Sequence, residues 1–168
     1  MSIYDLAKEV TYNPDTGEFT WKNSSFGRKS GAIAGGLNRN GYCRISYNHK
    51  KYMAHRLAFV CMGEEIPALV DHKNGIKNDN RWSNLRPANS TQNAVNSKKG
   101  SGFSSNSKGV YYTRYRTKPW KVELGKDGKS IYFGYYKTEE EATKVAKQKY
   151  RELHGKFSPY ERKIDEEI

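Results

Sequence analysis

The 168 residues carry 30 Lys and Arg against 18 Asp and Glu, a net charge of +12, and a chain this basic associates with polyanions, nucleic acid being the leading partner. No run of about 18 apolar residues is present to span a bilayer, Met1-Ser2-Ile3-Tyr4-Asp5 lacks the layout of a secretory signal, and two distant cysteines, Cys43 and Cys61, exclude a disulfide framework or zinc ribbon. The expectation is a soluble intracellular protein of one or two small domains, with both cysteines as small core residues.

The charge is spread evenly. Residues 1–98 hold 14 basic and 8 acidic side chains and residues 99–168 hold 16 and 10, so each part is +6, and both parts are expected to touch the polyanion. The N-terminal region reads as sheet from its start: Tyr12-Asn13-Pro14-Asp15-Thr16-Gly17-Glu18-Phe19-Thr20-Trp21 sets a Pro-Asp-x-Gly turn between aromatic-rich extended segments. Tyr42 to Tyr47 and Lys51 to Ala54 flank Asn48-His49-Lys50 as a second hairpin, and Arg56 to Met62 reads as a short buried helix ending at Gly63. Ala68-Leu69-Val70 is a brief strand delivering Asp71 and His72, Leu85-Arg86 a return strand before Pro87, and Asn89-Ser90-Thr91-Gln92 a helix start leading to Asn93.

That strand, loop, strand, helix unit gathers the residues that phosphodiester hydrolysis needs, a base and a hard divalent cation. His72, with an ordinary pKa near 6.5, takes a proton from water at neutral pH. Asp71 and the Asn93 amide offer hard oxygens that suit Mg²⁺ or Mn²⁺ held by a few protein groups, phosphate oxygens and water. Asn84 orients either the imidazole or the loop carrying it. Turn formation by Asn74-Gly75 and Asn78-Asp79-Asn80 accounts for some of these asparagines without any chemistry. Of the other histidines, His55 reads as a structural hydrogen-bonding residue, His49 as a turn residue, and His154 as a helix C-terminal residue whose charged form is favoured.

The run Val70-Asp71-His72 with Asn74-Gly75, then Asp79-Asn80-Arg81, Asn84-Leu85-Arg86 and Asn93 resembles the HNH nuclease motif in the form found in phage and intron-encoded homing endonucleases. The resemblance extends upstream through Tyr12 to Trp21, Gly41-Tyr42 and Ala54 to Ala58, and so covers about residues 10–97. It implies a ββα-metal core at about residues 68–97, His72 as general base, Asp71 and Asn93 as ligands of one metal ion, and Asn84 as the middle residue that orients the histidine. It also implies 5′-phosphate and 3′-hydroxyl products and, for a phage-encoded chain, the host-cell cytoplasm. The third motif residue is asparagine here where other branches have histidine.

Lys98 to Ser107 is a basic Gly/Ser linker. Beyond it, Val110 to Tyr115, Trp120 to Leu124 and Ser130 to Phe133 alternate as three antiparallel strands, with Lys126-Asp127-Gly128-Lys129 as a turn. Thr138-Glu139-Glu140-Glu141 opens a helix whose Ala142, Val145, Ala146, Tyr150 and Leu153 recur at helical spacing up to Gly155. The alternation puts Val110, Trp120, Val122, Leu124, Ile131 and Phe133 under that helix. It leaves Tyr111, Thr113, Lys121, Glu123, Ser130 and Tyr132 on the other face, with Arg114, Arg116 and Lys118 near a hairpin end, a surface suited to a DNA groove. Lys108-Gly109-Val110, Trp120 to Leu124, Phe133 to Ala142 and His154 to Phe157 resemble the APETALA2-type DNA-binding domain over about residues 106–158, although arginine or tryptophan of the plant members is replaced at Tyr111, Thr113, Gly125, Ser130 and Tyr132.

The sequence therefore leads to an α+β chain: N-terminal antiparallel hairpins running into an HNH nuclease motif (1–97), a linker (98–107), a three-stranded sheet on one helix (108–158) and a mixed-charge tail (159–168). The expected activity is metal-dependent cleavage of double-stranded DNA by a monomer or a weak dimer on its substrate. Two alternatives are a DNA-binding regulator on an HNH scaffold that does not cut, and an RNA-binding nucleoprotein that would leave the site unexplained.

Overall fold

The computed structural model describes residues 2–25, 27–97, 104–114 and 117–161. Arg116, the linker residues 98–103 and the tail residues 162–168 lie outside them. The architecture is α+β with antiparallel sheets throughout, in two compact units, Met1–Asn89 and Ser90–Ile168.

The first unit begins with a helix where the sequence reading expects sheet. Ser2 caps α1 (Ile3–Glu9) by accepting from the Asp5 amide, and the Asp5 carboxylate answers to the Ser2 amide at 2.7 Å. This reciprocal cap offsets the shortness of a seven-residue helix, and Leu6 is anchored fully in the core. Strands β1 (Val10–Tyr12) and β2 (Phe19–Trp21) pair as the expected hairpin. Strands β3 (Gly36–Leu37), β4 (Cys43–Tyr47) and β5 (Lys50–Met53) form a three-stranded sheet in that order, and α2 (Ala54–Cys61) follows directly. One core joins Leu6, Val10, Phe19, Trp21, Ile45, Leu57, Ala58, Phe59 and Leu85. Cys43 and Cys61 are half-buried at its edge, and burial raises both thiol pKa values.

Strands β6 (Leu69–His72) and β7 (Leu85–Ala88) form a separate antiparallel pair. Asp71 and His72 lie inside β6 and not beyond it, and Pro87 is accommodated within β7, because a two-stranded ribbon leaves one side of each strand without a ladder partner.

The second unit starts with α3 (Ser90–Asn96), which the sequence reading places at the end of the first domain. Two contacts explain the grouping. Val95 packs against the second core, and Lys108 Nζ donates to the carbonyls of Ala94, Val95 and Ser97 at 2.7, 2.7 and 2.9 Å, placing a cation on the electronegative end of the helix. Strands β8 (Val110–Tyr112), β9 (Trp120–Lys126) and β10 (Lys129–Tyr136) form a sheet in the order β10-β9-β8, and α4 (Glu139–His154) packs on β9. Val110, Val122, Leu124, Ala142, Ala146 and Tyr150 make the core, with Trp120 and Phe133 against it. The register shifts between Tyr132 and Gly134, so strict alternation ends there. Gly134 takes φ of 116°, open to glycine at little cost, and Tyr135 pairs with Lys121 while Tyr136 packs against the core.

Candidate active site

The β6–β7 register decides which residues meet. It sets Asp71 opposite Arg86 and His72 opposite Leu85. Neighbouring side chains on a pleated strand leave by opposite faces, so Asp71 turns toward Arg86 while His72 shares the side of Val70 and Leu85, which pack into the first core. Arg86 Nη2 and Nε reach the same Asp71 oxygen, Oδ2, at 2.6 and 2.7 Å. Both side chains are buried, and a carboxylate carried out of water at that depth requires such a partner.

His72 is buried as well. Its ring lies edge-on to His55, centroids 5.2 Å apart at 87°, and 6.0 Å from the Tyr42 ring. Burial lowers the His72 pKa below its ordinary value, although an Asn80 contact and the charges of Asp71 and Asp79 oppose the shift. Burial lowers His55 further, to about 4, helped by His72 and Arg56. Both rings are therefore neutral at pH 7, the state in which an imidazole accepts a proton. The expected hydrogen-bonding role of His55 is not what is found: among the described residues its Nδ1 is buried without a hydrogen-bond partner, and its neighbours are the two rings.

Asn84 acts on the loop and not on the imidazole. It ends a 3-10 turn, Trp82–Asn84, and its amide accepts from the Asn74 amide at 3.0 Å while donating to the Asp79 carbonyl at 2.7 Å. The backbone closes the same loop through Lys73 N–H to the Asn84 carbonyl at 2.9 Å. Asp79 ties the remainder together: Asn74 Nδ2 donates to it at 2.6 Å and the Arg81 fork at 2.9 and 2.7 Å, and the Arg81 hydrogen bond is the largest cause of its lowered pKa.

An amide that reaches the imidazole belongs to Asn80, which the sequence reading assigns to turn formation. It is 3 % exposed, with Oδ1 3.5 Å from His72 Nε2, a long contact that steers the ring more than it holds it. The β1–β2 hairpin braces this residue, since Tyr12 Oη donates to the Asn80 carbonyl at 2.6 Å and Trp82 N–H to the Pro14 carbonyl at 2.8 Å. A Cβ on Gly17 would stand 2.5 Å from the Asn80 and Arg81 backbone, so this hairpin turn approaches the loop as only glycine allows. The signal available in the sequence was Asn80 within Asp79-Asn80-Arg81, an amide between a carboxylate and its guanidinium.

Asn93 lies on α3 in the second unit. Among the described residues no group of three or more His, Cys, Asp or Glu is placed to hold a metal ion. The donor chemistry nonetheless fits a hard cation that keeps water and substrate oxygens, because Mg²⁺ is commonly held by one or two carboxylates, and a carboxylate offers about four lone-pair sites, more than one arginine occupies.

In the second unit, Tyr111, Lys121, Glu123 and Tyr132 pair across the sheet as Tyr111 with Lys121 and Tyr132 with Glu123. Lys121 is ion-paired to Glu123, which also accepts from Ser130. Tyr135, absent from the expected set, packs against Tyr132 with centroids 5.4 Å apart. Thr113 turns its hydroxyl to the Pro119 carbonyl at 2.8 Å and closes the β8–β9 connection. Arg114 and Lys118 are exposed. His154 departs from expectation: burial lowers its pKa and outweighs a hydrogen bond involving the Gly125 backbone.

Residues 52–95 match the family model described as HNH endonuclease, a stretch containing Asp71, His72, Asn84 and Asn93. No curated protein matches the chain. A chain from the solved structure "DNA binding and cleavage by the HNH homing endonuclease I-HmuI" is similar at 29% identity, covering 52% of this chain and 51% of that one, with a TM-score of 0.40. The chain thus spans about half the length of that protein. Residues 52–95 are an HNH endonuclease-type segment, set in a mixed α+β chain.

The buried ion pair yields one expected outcome. Arg86→Met strands the Asp71 carboxylate and is expected to cost about 3–5 kcal/mol of stability, read from urea unfolding, whereas Asp71→Leu with Arg86→Met recovers most of it. Equal losses in the single and double variants would contradict the pairing.

The histidines yield a second. Between pH 6.5 and about 4 the unfolded chain protonates His55 while the folded one keeps it neutral, so stability falls as pH falls through that window, by about 3 kcal/mol in total for a shift of this size. Urea midpoints at pH 7 and pH 4.5 should diverge in the native chain and move closer together in His55→Gln, apart from a residual drop due to His72 and His154, whose shifts have the same sign.

Proposed function

We propose that the chain is a metal-dependent DNA endonuclease of the HNH homing type, cutting duplex DNA to 5′-phosphate and 3′-hydroxyl ends. The observation that carries this reading is His72: an imidazole kept neutral by burial, at the end of a strand beside Asp71, ahead of a loop clamped by Asn84. An imidazole whose pKa is lowered is a weaker base, but more of it stands in the proton-accepting form at neutral pH.

In this mechanism His72 takes a proton from the attacking water as its oxygen bonds to phosphorus, the P–O3′ bond breaks, and the 3′-oxygen leaves to be protonated by solvent. Asp71 and Asn93 are the residues that would hold Mg²⁺ or Mn²⁺, one ion per site, whose chemistry is to offset charge on the leaving oxygen. Arg86 fixes the Asp71 carboxylate in one orientation. Asn84 and Asn80 shape the loop after His72, and the Tyr42 and His55 rings exclude water from one side of the imidazole.

Site preference is assigned to the second unit as an APETALA2-type reader. Tyr111, Lys121, Glu123 and Tyr132, with Thr113, Arg114 and Lys118 at the hairpin end and Arg116 by its place in the sequence, contact DNA and confer preference without fixing a target. One observation favours the rival reading of a regulator that binds and does not cut: Asp71 is held in a buried ion pair with Arg86.

Incubation with supercoiled plasmid and Mg²⁺ or Mn²⁺ separates the two. The native chain is expected to nick or linearise DNA, and His72→Ala to lose at least 100-fold in rate, the lower range for removing a general base, while DNA affinity is retained. Absence of cleavage with either metal would favour the regulator.

The reader role has its own measurement. Tyr111→Ala with Tyr132→Ala is expected to leave cutting intact but to spread it over more sites on a long duplex, mapped by end-labelled fragments. An unchanged cleavage map would remove the reader assignment.

A further inference from the structure

The first unit carries a concavity that the hydrolytic machinery proposed above does not use. It opens on the outer face of the β3–β4–β5 sheet and is lined by Arg28, Arg39, Arg44, Lys51, Trp21 and Gly36, among others, with no acidic residue. Alternation along β4 explains the lining: Ile45 is fully buried and Cys43 and Tyr47 pack on the core, so Arg44 and Ser46 face outward. The register then sets Gly36 beside Arg44 and Lys51 beside Ser46.

Two details indicate an occupant. The Arg28 guanidinium lies over the Trp21 ring at 4.3 Å, and its Nε donates to Ser25 Oγ at 2.7 Å, so its fork is held in place before anything binds. None of the four cations is in an ion pair among the described residues. Gly36 is the other detail. Its neighbour Gly35 has φ of 108°, and a Cβ there would meet Ile45 at 2.9 Å, so Gly35 is accounted for by the fold. Gly36 has no left-handed φ, and a Cβ on it would meet nothing within 4 Å. Neither backbone conformation nor packing requires glycine there, and the missing side chain leaves the strand open to close approach by a ligand.

We propose that this cleft binds backbone phosphates of duplex DNA adjoining the cut site, with Arg28, Arg39, Arg44 and Lys51 as the anion ligands and Gly36 as the floor that lets the sugar-phosphate chain come close. The choice of duplex DNA rests on the nuclease reading above; anion binding rests on the cleft. The cleft is tied to the candidate site through one turn. Asn38, in the lining, accepts from the Asn40 and Tyr42 amides at 2.8 and 3.1 Å, the Tyr42 ring lies tilted beside His72, and Lys77 Nζ, from the loop after His72, donates to the Asn40 carbonyl at 3.1 Å. A phosphate held in the cleft thus bears on the turn that packs against the imidazole.

The test is equilibrium binding of the full chain to a mixed-sequence DNA duplex without divalent metal, by fluorescence anisotropy between about 50 and 200 mM salt, where neutralised phosphates set the slope. Arg39→Gln with Arg44→Gln and Lys51→Gln is expected to flatten the slope of log K against log salt by about 3 and to lower affinity at least tenfold at the low-salt end, at roughly 0.9 per phosphate contact. Gly36→Val is expected to weaken binding several-fold with no change in charge. Lys8→Gln, on α1 and outside the cleft, should leave the slope as it is. Slopes and affinities equal to the native chain would overturn the proposal, as would an equal loss per charge in Lys8→Gln, and loss of RNA-duplex binding with DNA binding intact would assign the cleft to RNA instead. Should Gly36→Val lose its circular dichroism signature, the triple variant decides alone. Because these are binding measurements, they stand apart from whether the native chain cuts.

Discussion

The antiparallel register between β6 and β7 is the constraint on which the candidate site depends. A slip of one residue would exchange the faces of every side chain on β6, burying Asp71 against the apolar core and turning His72 toward Arg86. Two costs oppose that slip. Asp71 would lose the guanidinium that makes its burial tolerable, and Val70 would leave the core against which it now packs. The ion pair therefore serves more as a register lock than as a source of net stability, since a buried pair gains little over an apolar pair of the same volume.

From that register follows a division between the two faces of one strand end. The carboxylate side is polar, rigid and charge-balanced, while the imidazole side is lined by aromatic rings and held neutral by burial. Consecutive residues thus reach opposite electrostatic environments without a bulge or a strained backbone. Among the described residues the positive φ values outside glycine fall at Asn48, His49 and Asp127, in the hairpin turns before β5 and β10. The site is built from ordinary strand geometry, and its special chemistry comes from what packs on each side.

Much of this is legible in the chain itself. Hairpin turns, the period-two alternation of β9 and the cap of α4 each have a local chemical cause, and the structure follows them. The Asp71-His72 pair was legible because base and ligand types stand together on an apolar strand. What escaped depends on contacts distant in sequence: Arg86 as the partner of Asp71, Tyr12 bracing Asn80 across 68 positions, and His55 reaching His72 from another element. The α1 helix escaped for a different reason, since a single reciprocal cap and one buried leucine decide its state and an aromatic strand follows at once. Lys108 capping α3 joins elements across a segment that composition marks as a linker.

The abundance of asparagine around His72 has a physical rationale beyond turn formation. Each of Asn74, Asn80 and Asn84 supplies a donor and an acceptor with no charge, so the loop is cross-linked without adding negative charge beside His72. Carboxylates in those places would also raise the His72 pKa, as Asp71 and Asp79 already do in part, and so favour the protonated imidazole. Asp79 is the one acid in the loop, and Arg81 neutralises it at 2.7 Å. Amides thus order the loop while preserving the burial-driven neutrality of His72, and the cations Arg28, Arg39, Arg44 and Lys51 stay apart from it on the outer face of the β3–β4–β5 sheet.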